Sequence, residues 1–182
     1  KKYDKEKWVL FPIVQWWLYK DLRKKSAQYL SKFAKDGIAI WWLSVWETKF
    51  QMEDMISYTT DYLPEDKPRY LMWVWTPEDL ILWIREWIDM FDCVMPTRLW
   101  RHWNAFSTHW NIKLKNSSYQ KDKKPIDENC NCYVCKNYSK SYLHHLVKQK
   151  EMLAGSLISL HNIAYLHQIV EKEKEKIFDN KN

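Results

Sequence analysis

The chain has 182 residues, 46% of them hydrophobic and 29% charged, with a formal net charge of +6. That length can bury one core, but the apolar runs are short and broken by charges. No segment is therefore expected to span a membrane, and no signal-peptide pattern is present. Taken in chain order, residues 9–14 read as a buried strand and residues 21–35 as an amphipathic helix stopping near Asp36-Gly37. Residues 38–42 are strand-like and 47–59 helical. Leu63-Pro64 and Pro68 punctuate a loop, after which residues 70–74 form a third strand. Thr76-Pro77-Glu78-Asp79 is a helix start, with threonine as cap, proline at the first helical position and acids in the first turn. That helix is expected to reach residue 88, and residues 90–94 to make the fourth strand. Alternation of strands and helices predicts a parallel β/α architecture. Residues 111–135 read as a cysteine-bearing loop, and residues 138–170 as largely helical.

Cys130, Cys132, Cys135 and His161 follow the spacing C-x-C-x2-C-x25-H. A structural zinc ion needs four soft or borderline ligands at about 2.0–2.3 Å, and one tight loop can supply three thiolates. His161 is the expected fourth ligand, preferred on spacing to His144, His145 and His167. Disulfides are the alternative reading. Three cysteines this close cannot all pair with one another, and the remaining one, Cys93, lies in an apolar run and reads as a core thiol. One structural zinc ion per chain is expected, and metal-type cysteines without a disulfide framework suit a reducing cytoplasm. Lysines gather at both ends and around residues 113–124. That is compatible with an RNA partner but weak alone, and a solvated lysine-rich surface is the better reading of any single cluster.

Cys130-Asn131-Cys132-Tyr133-Val134-Cys135-Lys136-Asn137-Tyr138, continuing to His144-His145-Leu146 and then Leu160-His161-Asn162, resembles the zinc subdomain of the tRNA-guanine transglycosylases. Asp89-Met90-Phe91-Asp92-Cys93-Val94-Met95-Pro96-Thr97-Arg98 resembles the catalytic strand of the same family. Lys67-Pro68-Arg69-Tyr70-Leu71-Met72 and Tyr19-Lys20-Asp21-Leu22-Arg23 match it too, so the likeness runs from residue 9 to residue 170. The family is roughly twice as long and this chain begins at Lys1. The resemblance therefore implies an α/β fold, the C-terminal half of a TIM (β/α)8 barrel with a zinc-binding subdomain. Residues 1–110 would be the last four β/α units, 111–170 the zinc-binding subdomain and its helix, and 171–182 a charged tail.

The activity implied is exchange of guanine at the anticodon wobble position of tRNA for a 7-deazaguanine. For the bacterial type this is 7-aminomethyl-7-deazaguanine, on the route to queuosine, and the tRNAs carry GUN anticodons. Val45 supports the bacterial substrate, and the added C-terminal RNA-binding domain of archaeal relatives is not expected in a chain of this length. By resemblance Asp92 is the nucleophile, Asp89 is structural, and Gln15, Trp42, Leu43, Met72 and Trp73 hold the base. Glutamine offers a donor and an acceptor on one amide, which suits a guanine edge, though a polar residue capping a strand looks the same in sequence. Asp92 could likewise be a helix cap or an ion-pair partner. Trp73, Val74, Trp75, Thr76, Pro77, Glu78 and Asp79, with Thr97, Arg98, Leu99, Trp100 and Arg101, would face the RNA. Arginine forks match base edges and phosphates, but surface pairing explains them as well.

The family keeps its general base and another base-binding aspartate in the N-terminal half, so these 182 residues alone are expected to be inactive. A homodimer is implied, with Tyr138, Tyr142 and His145 on one helix face at the contact; packing of that stripe within its own chain is the alternative. A non-catalytic, zinc-stabilised partner subunit is the other functional reading, and the intact Phe91-Asp92-Cys93-Val94 block followed by Pro96-Thr97-Arg98 argues for the enzyme. One feature departs from the family. The chain has thirteen tryptophans and two glycines, where an average glycine share of about 7% would give about thirteen. Trp16, Trp17, Trp41, Trp42, Trp46, Trp73, Trp75, Trp83, Trp87, Trp103 and Trp110 stand where the resembled family has glycine. The expectation is a decoding effect, with UGA read as glycine in the source and written here as tryptophan.

Overall fold

The computed structural model describes residues 8–41, 48–74, 76–108 and 111–179. The chain divides into two compact units, residues 1–93 and 94–182. The first unit alternates strand and helix: β1 (Ile13–Val14), α1 (Lys20–Ser31), β2 (Ile38–Ile40), α2 (Lys49–Thr60), β3 (Arg69–Leu71), α3 (Pro77–Arg85) and β4 (Met90–Phe91). The strands form one sheet in the order β1-β2-β3-β4, all parallel, as the alternation predicts. Its register pairs Val14 with Ile40, Ile40 with Leu71, and Leu71 with Phe91. Ile38, Ala39 and Ile40 are all buried, the continuous apolar pattern of a central parallel strand.

The strands are shorter than the apolar runs that announce them. In β1, Pro12 has no amide to add to the ladder, and the Leu10 amide goes instead to the Asp36 carboxylate at 3.0 Å. Helix α1 ends at Ser31, and the expected end at residue 35 is approached by turns in which Phe33 and Ala34 donate to Leu30 and Ser31. Helix α2 starts with a capping box: the Gln51 amide donates to Thr48 Oγ1, and the Thr48 amide donates to Gln51 Oε1 at 3.0 Å. Residue 47, its expected start, lies outside the described residues. Helix α3 starts where the sequence places it, with the Asp79 amide on Thr76 Oγ1 at 3.1 Å. Val14, Ile38, Ile40, Ile56 and Trp83 are fully buried here, and so is Arg23. The Arg23 guanidinium donates to the carbonyls of Trp17 (3.0 Å) and Trp41 (3.3 Å), which fixes the segments leaving β1 and β2.

The second unit begins with α4 (Met95–Arg98) and a 3-10 turn (Leu99–His102), followed by the antiparallel pair β5 (Asn104–Ala105) and β6 (Ile112–Lys113). Three helices complete it: α5 (Tyr133–Asn137), α6 (Lys140–Lys148) and α7 (Met152–Asp179). Within residues 138–170 the helices are α6 and the first part of α7, with Lys150 between them in the left-handed conformation at φ 58°. Tyr138 is extended and lies outside α6, so it does not share a helix face with Tyr142 and His145. Helix α7 continues through the charged residues 171–179, where Lys174 pairs with Glu171 and Lys176 with Glu173 one turn apart. Leu114, Val134, Leu143, Ala154 and Ile158 form a fully buried core. Among the described residues no helix is long and apolar enough to cross a membrane.

Candidate functional site: a strand-end carboxylate and a metal centre

Parallel strands present all their C-terminal ends along one edge, and that edge gathers most of the residues singled out in the first unit. One step beyond the paired residues Val14, Ile40, Leu71 and Phe91 stand Gln15, Trp41, Met72 and Asp92. The ladder carries into them: the Trp41 amide donates to Val14, and the Met72 amide to Ile40. Gln15 is exposed, Met72 and Asp92 half-buried, and Trp73 exposed. Trp42, Leu43 and Trp75 lie outside the described residues.

Asp92 is held, not buried. Its Oδ1 accepts from the Tyr70 hydroxyl at 2.8 Å and from the Trp73 amide at 3.1 Å, while its carbonyl accepts from the Val74 amide. Its Oδ2 has no hydrogen-bond partner among the described residues. Burial and the bond to Asp92 push the Tyr70 phenol up to about 12, so it remains a neutral donor and Asp92 the acceptor. The geometry leaves one carboxylate oxygen anchored and the other presented at the strand edge, as a nucleophile requires. Tyr70 lies in the motif Lys67-Pro68-Arg69-Tyr70-Leu71-Met72, but nothing local in the sequence marks it as this carboxylate's partner. The neighbouring Asp89 does structural work: its Oδ2 accepts from the Arg69 amide at 2.8 Å, tying β4 to β3.

The loop after β3 uses several of its side chains internally. Val74 is buried, Thr76 caps α3, and buried Asp79 pairs with Lys49 at 2.7 Å. Trp73, Thr76 and Glu78 are exposed and Pro77 half-buried. Above Trp73, the indole of Trp41 lies edge-on at 5.3 Å. In the second unit Thr97, Arg98 and Arg101 are exposed, while Leu99 and Trp100 are half-buried and Trp100 packs against Gly155.

The second unit also brings Cys130, Cys132, Cys135 and His161 together, with their ligand atoms within 4.8 Å of one another. His161 Nδ1 lies 3.9, 3.4 and 3.3 Å from the sulfurs of Cys130, Cys132 and Cys135. A tetrahedron with zinc–sulfur bonds of about 2.3 Å and a zinc–nitrogen bond of about 2.0–2.1 Å has sulfur–nitrogen edges of about 3.6 Å. The observed distances bracket that value. His161 is fully buried and its Nε2 lies 2.8 Å from the Phe106 carbonyl. A carbonyl only accepts, so Nε2 carries the proton and Nδ1 points its lone pair at the sulfurs, the outer-shell arrangement usual for a metal-bound histidine.

Hydrogen bonds from Cys130 and Cys135 push the Cys132 thiol down to about 2, while those with Cys130 and Cys132 push the Cys135 thiol up. Three thiols this close cannot all ionise unless a cation sits among them, so the donor set fits one structural zinc ion. His144 is a core residue whose Nδ1 lies 2.7 Å from the Leu114 carbonyl, and His145 and His167 are exposed. The zinc loop has its own brace. Burial alone would raise the Asp127 carboxyl, but the hydroxyl and amide of Thr108 and the Asn129 amide hold it below the usual carboxylate range. Fully buried Asn162 accepts from the Phe106 amide at 2.9 Å and donates to the carbonyls of Pro96 and Asn104. It fixes the segment leading to the carbonyl that orients His161, a role the sequence gave no reason to expect.

A family model described as queuine tRNA-ribosyltransferase matches residues 1–181. Among curated proteins, the queuine tRNA-ribosyltransferase of Caldanaerobacter subterraneus is 49% identical over 169 residues, covering 93% of this chain and 45% of its own length. The protein of the same name from Halothermothrix orenii is 43% identical over 172 residues, covering 94% of this chain and 46% of its own. That from Vibrio vulnificus is 46% identical over the same shares. The chain spans about half the length of the curated relatives it matches.

Proposed function

The chain belongs to the queuine tRNA-ribosyltransferase family, and on that premise we propose that the protein it comes from is a tRNA-guanine transglycosylase. The observation that carries the reading is Asp92, anchored through Oδ1 with Oδ2 presented at the end of a parallel strand. Attack of that oxygen on the ribose anomeric carbon breaks the bond to guanine and forms a covalent aspartyl-ribose. Attack of the incoming base on the same carbon then releases the carboxylate and restores the nucleoside. Between the two steps the ribose is held by its bond to the carboxylate, so it is not released as a free cation.

The barrel reading rests on strand order. Strands that add in sequence, each parallel to the last, match a segment of a (β/α)8 barrel, whereas doubly wound sheets reverse direction at a switch point. The outer strands expose Ile13 and Met90, the edges that the remainder of a barrel would cover. Barrel chemistry sits at the C-terminal strand ends, where Gln15, Met72, Trp73 and Asp92 stand. Gln15 and the backbone at Met72 and Trp73 would hold the base, guanine leaving and 7-aminomethyl-7-deazaguanine entering. Trp42 and Leu43 complete that set in the proposal, and Trp75 belongs to its RNA-facing rim. Arg98 and Arg101, exposed in the second unit, would contact the anticodon loop of a GUN tRNA whose wobble nucleotide is extruded for reaction. Zinc keeps the second unit in shape and takes no part in the chemistry. We place the protein in the cytoplasm with its tRNA.

The test is base exchange. Full-length protein is expected to incorporate labelled guanine into unfractionated tRNA, at the wobble position only. Binding of tRNA without any incorporation would replace the enzyme by the non-catalytic partner subunit.

We also propose a homodimer contact on the second unit. Tyr133 and Tyr138 meet edge-on at 6.0 Å, and Tyr138 stacks on Tyr142 at 5.4 Å, with Tyr133, Tyr142 and His145 exposed. A surface ladder of aromatics suits an interface core, because each ring buries a large area with few rotors to freeze. Tyr142→Ala is expected to weaken dimerisation of the full-length protein by about tenfold or more in sedimentation. A monomeric parent, or a mutant that associates as before, would leave the ladder as surface packing.

A further inference from the structure

Six residues other than glycine have positive φ among the described residues, and five are tryptophans: Trp16 at 88°, Trp17 at 32°, Trp73 at 66°, Trp87 at 62° and Trp103 at 59°. Neither glycine does. In this region a Cβ crowds the backbone, so glycine is the usual occupant, with Asn, Asp and His next and bulky residues rare. Tryptophan is 13 residues in 182, far too few for five of six by chance.

Each position has a backbone reason for its conformation. After α3 the Ile88 amide donates to the Trp83 carbonyl and the Trp87 amide to the Ile84 carbonyl, a Schellman closure that puts Trp87 at the position where glycine is commonest. Trp103 closes the 3-10 turn in the same left-handed conformation. Trp16 and Trp17 turn the chain out of β1, and Trp17 delivers its carbonyl to Arg23. Trp73 bends so that its amide reaches Asp92. Four of the five, Trp16, Trp17, Trp73 and Trp87, are 55, 38, 45 and 58% exposed, so burial does not call for an indole there. Trp103 packs against the core of the second unit, and its case rests on its φ. Lys150 shows that such a site can carry a side chain, but it is the single other case. Trp83 differs: it is 1% exposed inside α3, so the backbone makes no such demand there.

We infer that residues 16, 17, 73, 87 and 103 are glycine in the protein as the cell makes it, the codon written here as tryptophan being decoded as glycine. The inference stands on backbone geometry and is independent of the proposed reaction. Its test is peptide mass spectrometry of the protein isolated from its source, together with the codons of its gene. Peptides spanning the five positions are expected to be lighter by the difference between an indolylmethyl group and a hydrogen at each, over UGA codons. Tryptophan masses there, or UGG codons beneath them, overturn the inference whatever the protein's activity.

Discussion

Asp92→Asn in the full-length protein is expected to lower kcat for guanine exchange by about 10⁴-fold or more while leaving tRNA affinity nearly unchanged. The substitution removes the nucleophile and its charge but keeps the shape. An asparagine oxygen can still accept from the Tyr70 hydroxyl and the residue 73 amide, so the strand edge should hold together. A protein–tRNA adduct stable to denaturant is expected with the parent and absent with the mutant. An adduct that survives Asp92→Asn would move the nucleophile elsewhere. Tyr70→Phe separates anchoring from attack. Loss of one hydrogen bond to a charged group is worth about 1.5–3 kcal/mol, so kcat should fall by about 10- to 100-fold with KM little changed. Because the phenol is pushed up to about 12, that defect should be flat with pH across the neutral range.

What the sequence could and could not reveal follows from the range of each interaction. Thr76 and Pro77 announce α3 because a cap is decided within four residues, and Thr48 with Gln51 is an equally local signal for α2. The order of parallel strands followed from alternation alone. Strand lengths did not: ahead of β1, Pro12 accepts from the Ala39 amide but has no amide of its own to return to the ladder. The break at Lys150 has neither glycine nor proline to mark it. The four metal-site residues were legible because few other roles explain three clustered thiols. Tyr70 and Asn162 were not, since their partners lie 22 and 56–66 residues away and tyrosine or asparagine alone implies nothing. Val74 and Asp79 show the same limit in reverse: sequence placed them on a rim, and packing turned their side chains inward.

Cys132→Ser is expected to remove zinc from the second unit and to open residues 106–137 to protease. Structural zinc contributes about 10–16 kcal/mol of apparent binding free energy in small zinc domains, comparable with the whole stability of a typical domain of about 5–15 kcal/mol. Cys132 serves the site twice, as a sulfur 3.4 Å from His161 Nδ1 and as the N-cap of α5, where its sulfur accepts from the Cys135 amide. His161→Ala should match it, because it removes a ligand and also leaves the Phe106 carbonyl without its donor. The other histidines discriminate ligation from general damage. His145→Ala and His167→Ala, at exposed positions, should keep one zinc per chain and full protease resistance. His144→Ala breaks the bond to Leu114 in the core and should lower stability by about 1–3 kcal/mol, yet retain the metal. Stoichiometry measured by atomic emission beside the protease pattern reads the two effects separately. Zinc retained at one per chain in both Cys132→Ser and His161→Ala would show that these donors do not hold it.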